Sequence, residues 1–318
     1  MPKGAIDVAG TGFTVLDRIY SDDADAFEAL GGSCGNVLLS LALLDRRVAP
    51  VIALGVDAVG DTLSSEFADA GADISYIFRS AYIASPILIQ LVNTAQGQHA
   101  FSFVCPDTDE DFPRFTPIEQ LEVSRASSAL DQCAIFYADR LTEAIASAME
   151  MADRAGALVY FEPSAIDDPE LFRRALRHTS ILKYSSERFP IRLEERDLPK
   201  GAISIVTYGA DGLEVRRDGR GLRCGATKAS VVRDTSGSGD MVTVGIIDRL
   251  LSLGRNGEAL KSLEALIPGI LAGQRLAAAN CAFTGARGLF RNCGPLTARA
   301  ILDGLDPDLG DEIEPGLF

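Results

Sequence analysis

Short apolar runs that end in glycine, aspartate, proline or a polar residue alternate along this chain with segments of helical spacing. That alternation constrains the fold more than any other feature. Residues 5–10 (AIDVAG), 48–55 (VAPVIALG), 133–139 (CAIFYAD), 157–163 (ALVYFEP), 181–184 (ILKY) and 202–209 (AISIVTYG) read as buried strands. Between them, NVLLSLALLDR, GDTLSSEFADAG, TEAIASAMEMADRAG and PELFRRALRH place apolar residues at helical intervals. Apolar strands separated by helices pack as a mostly parallel α/β sheet with helices on its faces. In such a sheet, ligands gather at the carboxyl ends of the strands.

Two stretches break the alternation. Residues 85–105 (SPILIQLVNTAQGQHAFSFVC) read as two strands joined by a glycine-containing turn. Residues 14–30 fit poorly as a helix at their start. Together they describe a small sheet, standing off the main one as a lid or extending its edge. The pattern alone leaves both open. The acidic tail DPDLGDEIEPGLF is expected to pack loosely.

Composition narrows the function. The formal net charge of the 318 residues is −15, which repels phosphate backbones and anionic membrane surfaces. Nucleic acid and membrane are therefore not expected partners. The apolar run NVLLSLALL is too short to span a bilayer, and the N-terminal MPKGAIDVAGTGF lacks the apolar core of a secretory signal. Six cysteines without a C-x-x-C pair read as reduced thiols, which points to a cytoplasmic protein. His99 and His178 are the only histidines, too few for a His-rich zinc site.

The chemistry concentrates in VVRDTSGSGDMVTVGIIDRLL. A helix apolar on more than one face begins near Asp240, so its first-turn N–H groups need partners where water is scarce. An anion supplies them, favoured by the helix dipole. Gly237 and Gly239 remove the Cβ atoms that would keep a phosphate away, and Ser238 adds little bulk. A carboxylate beside that hole would not bind the anion; Asp240 suits a general base, or more simply a helix cap. The loop lacks the Gly-Lys-Ser/Thr ending of a Walker A motif. Upstream, GGSCGNVLLSLALL again puts glycines before a helix, with Asn36 at its start and Asp17 further back. Such oriented donors and acceptors suit a polyhydroxy ligand, while a cap for Asn36 and a surface turn for Asp17 are the plainer readings.

With these pieces in order, the chain resembles the ribokinase/PfkB-type carbohydrate kinases over nearly its whole length. The C-terminal signature of that family is present as Asp234-Thr235-Ser236-Gly237-Ser238-Gly239-Asp240. Its N-terminal signature is present as Gly31-Gly32-Ser33-Cys34-Gly35-Asn36, followed by a Gly-x-Asp-x-x-Gly segment at Gly55, Asp57 and Gly60. The resemblance implies one Rossmann-like, ribokinase-like α/β domain over 1–318, with a β lid formed by insertions at about 12–30 and 75–105. It implies ATP as donor, Mg²⁺ bridging the phosphates, and phosphorylation of a hydroxymethyl group on a sugar or nucleoside. Asp240 would be the base and the amides of Gly237, Ser238 and Gly239 the anion hole. Asp17, Gly31, Gly32 and Asn36 would bind the acceptor; Thr207, Gly209, Gly212 and Lys183 would face the nucleotide. Glu187 would act on the metal indirectly, and Asp234 would serve a monovalent cation such as K⁺. A lid sheet with an apolar outer face would also suit pairing across a homodimer.

The sequence departs from the family at LKYSSERF, where the usual Asn-x-x-Glu lacks its asparagine. That leaves room for a non-catalytic sugar or nucleoside sensor on the same scaffold. Glu162, in YFEPS, reads equally as a residue near the phosphates and as a structural one. A phosphorylated acceptor would call for a cationic lid, for which Arg79 and His99 are the candidates. Gly31-Gly32-Ser33-Cys34-Gly35 also matches the hydrolase G-x-S-x-G. The acidic segment before it is no core strand, however, and no histidine follows His178. AGTGFTV lacks the third glycine of a dinucleotide fingerprint.

Overall fold

The strands that read as buried line up in one sheet because their residues are apolar on both faces. The computed structural model describes residues 6–22, 25–106, 108–187, 197–254 and 262–307; the acidic tail lies almost wholly outside them. Strands β1 (Val8–Thr11), β4 (Val48–Pro50), β9 (Ile135–Ala138), β10 (Leu158–Phe161), β11 (Ile181–Ser185) and β12 (Ile203–Thr207) are joined in parallel in the order β4-β1-β9-β10-β11-β12. Antiparallel β13 (Leu213–Arg217) and β14 (Arg220–Cys224) finish the edge and complete eight strands.

Alternate residues of each strand feed two apolar layers. Val8, Ile135, Tyr137, Tyr160 and Ile203 join one, packed on α1 (Ser33–Leu43), α7 (Ser238–Ser252), α8 (Ile267–Asn280) and α9 (Gly288–Leu302, kinked at Gly294). Ala9, Phe136, Val159, Phe161 and Leu182 join the other, under α3 (Gln120–Arg125), α4 (Ser127–Gln132), α5 (Glu143–Arg154) and α6 (Pro169–Leu176). The result is a helix–sheet–helix sandwich. Among the described residues no helix is long and apolar enough to cross a membrane.

A second, four-stranded sheet stands apart, built from β2 (Val15–Ser21), β3 (Phe27–Gly31), β7 (Ile87–Asn93) and β8 (Gln98–Ser102) in the order β3-β2-β7-β8. It does not extend the edge of the main sheet. Two readings of the sequence need correction here. Residues 48–55 are not one strand: Val51 donates its N–H to Gly10 O, and the chain then leaves the main sheet. Its continuation, β5 (Ile52–Gly55), pairs instead with β6 (Ile77–Ser80), beside helix α2 (Ala58–Asp69). Residues 77–80 of the expected lid insertion therefore belong to this small ribbon and not to the four-stranded sheet. The Gly-x-Asp-x-x-Gly segment is its turn, where Asp57 accepts from Gly60 N–H at 2.7 Å and Ser85 N–H at 2.8 Å.

Candidate active site

Parallel strands deliver their carboxyl ends to one rim, and the titratable groups converge there. Asp139 follows β9, Glu162 follows β10 and Lys183 lies within β11. Asp139 is fully enclosed, accepts from Phe13 N–H at 2.8 Å and pairs with Arg140 at 3.0 Å. Burial lifts its pKa to about 6, against the pull of Arg140.

Helix α7 opens on this rim. Gly237 takes the left-handed conformation (φ 72°), and a Cβ there would meet Ala286 at 2.6 Å, so the turn requires glycine. Ser238 spends its N–H on Thr235 O at 3.2 Å and its hydroxyl on the same carbonyl at 2.8 Å. The N–H groups of Gly237, Gly239 and Asp240 meet no acceptor among the described residues. Of the three amides expected to line an anion hole, those of Gly237 and Gly239 are left open, together with that of Asp240, while Ser238 is turned inward to close the loop.

Asp240 and Asn36, separated by 204 residues, meet across the rim: Asn36 Nδ2 donates to Asp240 Oδ2 at 2.8 Å. Burial, helped by Glu162, pushes the Asp240 carboxyl up from 3.8 to about 7, while Asn36 and Lys183 hold it down. Asp17 on β2 is raised to about 7 as well, by burial and by Asp240, Asp234 and Glu66, against Arg287. Its Oδ1 and the Asn36 Oδ1 are buried without a partner. Gly31 is where it must be: a Cβ there would lie 1.8 Å from Asp17 Oδ2. Gly32 (φ 79°) lets the chain turn into α1, whose Cys34 and Gly35 N–H groups donate to Phe13 O. A cavity of about 220 Å³ lies against Asp17, Asn36, Phe27, Arg287 and Arg291.

Sequence reasoning missed Arg287 and Glu66. The Arg287 guanidinium is enclosed beside Asp17, donates to Leu30 O and pairs with Glu66 at 3.4 Å; Glu66 also accepts from Leu30 N–H at 2.7 Å. These two residues pin the strand that carries Gly31. No local pattern announces a pair 221 residues apart.

Asp234 is committed to protein donors. It accepts from Gln90 Nε2, Ser236 N–H and Gly285 N–H, each at 2.8 Å, and from the Ser236 hydroxyl at 2.6 Å. His99 Nδ1 stands 3.2 Å away, at ion-pair distance without hydrogen-bond alignment. Burial works to raise the carboxyl, but His99, Ser236 and Gly285 hold it below its ordinary value. These donors fill the places a cation would take, so the residues do not fit the expected monovalent ion on Asp234.

Lys183 also stands elsewhere than expected. It is 2 % exposed beneath α7, ion-paired with Glu162 and donating to Gly239 O at 3.1 Å, and it does not present itself to a nucleotide. Thr207, Gly209 and Gly212 do cluster at the end of β12, where Tyr208 N–H donates to Gly212 O at 2.8 Å. The exposed Glu187 lies alongside, its Oε1 3.9 Å from the Cβ position of Gly209. Arg79 is spent on Gly55 O, Asp57 O and Asp61, away from the cavity's walls.

The profile of the pfkB family carbohydrate kinases matches residues 24–288. The fructokinase of Vibrio alginolyticus is 23% identical over 258 residues, 74% of this chain and 81% of its own. The aminoimidazole riboside kinase of Salmonella typhimurium is 29% identical over 259 residues, 73% of this chain and 77% of its own. Among solved structures, the ribokinase of Giardia lamblia superposes with a TM-score of 0.73 at 14% identity, covering 95% of this chain and 98% of its own. The ATP-bound fructokinase of Xylella fastidiosa superposes with a TM-score of 0.70 at 19% identity, covering 92% and 97%. The fold is ribokinase-like. The chain belongs to the pfkB family of carbohydrate kinases.

Proposed function

We propose that this protein transfers the γ-phosphoryl group of ATP to a hydroxymethyl group of a sugar or nucleoside, with Asp240 taking the hydroxyl proton. The observation that carries the reading is the Asp240 carboxyl itself. It is buried, tuned to about 7, oriented by Asn36, and set beside N–H groups of Gly237, Gly239 and Asp240 that lack acceptors. A base poised near neutrality both accepts a proton and releases it again. The acceptor oxygen loses its proton to Asp240 and bonds to the γ-phosphorus as the bond to ADP breaks. Charge gathering on the phosphoryl oxygens meets the free amides. Asp17 and Asn36, with unpartnered buried oxygens, supply the acceptors that sugar hydroxyls need.

ATP supplies the phosphoryl group, and the loop fits a polyphosphate. Among the described residues no group of three His, Cys, Asp or Glu side chains could hold a metal. The expected magnesium is one held chiefly by the nucleotide's phosphates, which needs no such cage, and no step here runs through it. The acceptor reading is a neutral one. The cavity is lined by the carboxyls of Asp17, Glu28 and Glu66, Arg79 and His99 are engaged elsewhere, Arg287 is paired with Glu66, and Arg291 is laid over the Phe27 ring. The test is ADP release with Mg²⁺ and ATP across free sugars, nucleosides, sugar acids and phosphosugars, with Asp240→Asn beside the wild type. A neutral acceptor that stimulates release in the wild type alone supports the reading; undiminished turnover in Asp240→Asn overturns it.

A further inference from the structure

Beneath the anion loop lies a buried charged group that phosphate contact does not explain. Lys183 Nζ, from β11, donates to Gly239 O, the carbonyl of the peptide whose N–H belongs to Asp240. In a trans peptide the two groups point in opposite directions, so anchoring the carbonyl inward keeps the Asp240 N–H facing out. Lys183 is ion-paired with Glu162 Oε1, and Glu162 Oε2 accepts from the Thr243 hydroxyl, one turn along α7, at 2.8 Å. The three side chains clamp the first turn of α7 from below. Burying an ammonium and a carboxylate is costly, and removing one partner would leave the other charge uncompensated. Simple packing needs neither charge here.

We propose that Lys183 and Glu162 are positioning residues for the phosphoryl-transfer centre: Lys183 fixes the Gly239 carbonyl, one peptide from Asp240, and Glu162 ties Lys183 to Thr243 one turn along α7. The inference rests on the reading of Asp240 as the base. Around that carboxyl stand Glu162 from the end of β10, Lys183 from β11, Asp139 from the end of β9, Asp17 from β2, Tyr137 of β9 and Asn36 of α1. Arg140 opposes Asp139 and Arg287 opposes Asp17, whereas the cation that opposes Asp240 is Lys183.

The experiment is a carboxyl-carbon NMR titration of the full chain, with the Asp240 signal assigned from its loss in Asp240→Asn. It needs no acceptor and no turnover, so it can fail or succeed independently of the base assignment. Lys183→Met is expected to move the Asp240 titration up by about one pH unit or more, and Glu162→Gln to move it down. The double variant Lys183→Met/Glu162→Gln, which restores charge balance, is expected to titrate near the wild type. Should Lys183→Met fail to fold, Glu162→Gln and the double variant still decide the matter. Calorimetry with ADP separates positioning from nucleotide binding: affinity in the double variant is expected to stay within about threefold of wild type. Shifts in the same direction, no shift, or a loss of ADP affinity beyond about tenfold would overturn the proposal.

Discussion

Gln90 Nε2, on the central β7 strand of the second sheet, donates to Asp234 Oδ2 at 2.8 Å, joining that sheet to the head of the glycine loop before α7 across 144 residues. Both side chains are fully buried. Any displacement of the second sheet must therefore either carry the loop with it or break a charge-assisted hydrogen bond in a place without water.

Gln90→Ala is accordingly expected to cost about 1–3 kcal/mol of stability, the usual penalty for stripping a buried carboxylate of a donor. Gln90→Glu should be worse, because it sets a second carboxylate against Asp234. Chemical denaturation of the two variants checks the order. Turnover should fall further than ATP affinity in both, since the loop is displaced while the cluster at the end of β12 proposed to face the nucleotide is left in place. If Gln90→Glu were as stable as wild type, the contact would have no bearing on the loop.

Gly31→Ala tests the seat of Asp17. The new methyl would occupy the position of Asp17 Oδ2, and both groups are buried, so the carboxyl must swing out of the cavity. The expected outcome is a rise in KM for the acceptor of roughly tenfold or more, the loss of about one charge-assisted hydrogen bond, with KM for ATP little changed. Steady-state kinetics with each substrate varied in turn separates the two effects.

Much of this architecture is written locally. The strands at 181–184 and 202–209 are apolar on both faces, so their burial at the sheet's centre follows from composition. The glycine loops announce their own turns, which is why Asp240 and Asn36 could be expected at one rim. What local pattern could not convey is which way a side chain faces once strands pair. Lys183 lies in a run, ILKY, that says buried strand, and the family resemblance says nucleotide; register places it under α7. Arg287, Glu66, Gln90 and His99 are ordinary polar residues in sequence, and their roles arise from contacts spanning many tens to hundreds of residues. The break at Val51 likewise depends on a carbonyl offered by Gly10, in a different strand.

Helices α7 and α8 touch backbone to backbone. A Cβ on Gly245 would come within 2.3 Å of Gly273 N, and one on Gly273 within 2.7 Å of Val242 O. Neither neighbour is a side-chain tip that could turn aside. Gly245→Ala should force the helices apart and cost about 1–3 kcal/mol, more than the helix propensity gained by replacing glycine. Because α7 carries Asp240, the variant should lose turnover along with stability. A melting temperature equal to wild type would show that the helices can separate without strain.

Asp17 and Asp240 make stability depend on pH in a direction opposite to that of salt-bridged carboxylates. Both pKa values stand at about 7 in the folded chain against 3.8 for a free aspartate. Between pH 4 and 7 the folded state therefore binds more protons than the unfolded one, and stability falls as pH rises through that window. Above pH 7 both groups are ionised in either state, and the full burial penalty is felt. Asp240→Asn removes one of these charges and keeps an oxygen for Asn36 to donate to, so it should stabilise the protein at pH 8 by roughly 1–3 kcal/mol. At pH 4 the gain should nearly vanish, the wild-type carboxyl being protonated there already. Urea denaturation of both proteins at the two pH values measures it directly. An equal difference at pH 4 and pH 8 would mean that Asp240 carries no burial penalty, and its assignment as a base tuned by its surroundings would go with it.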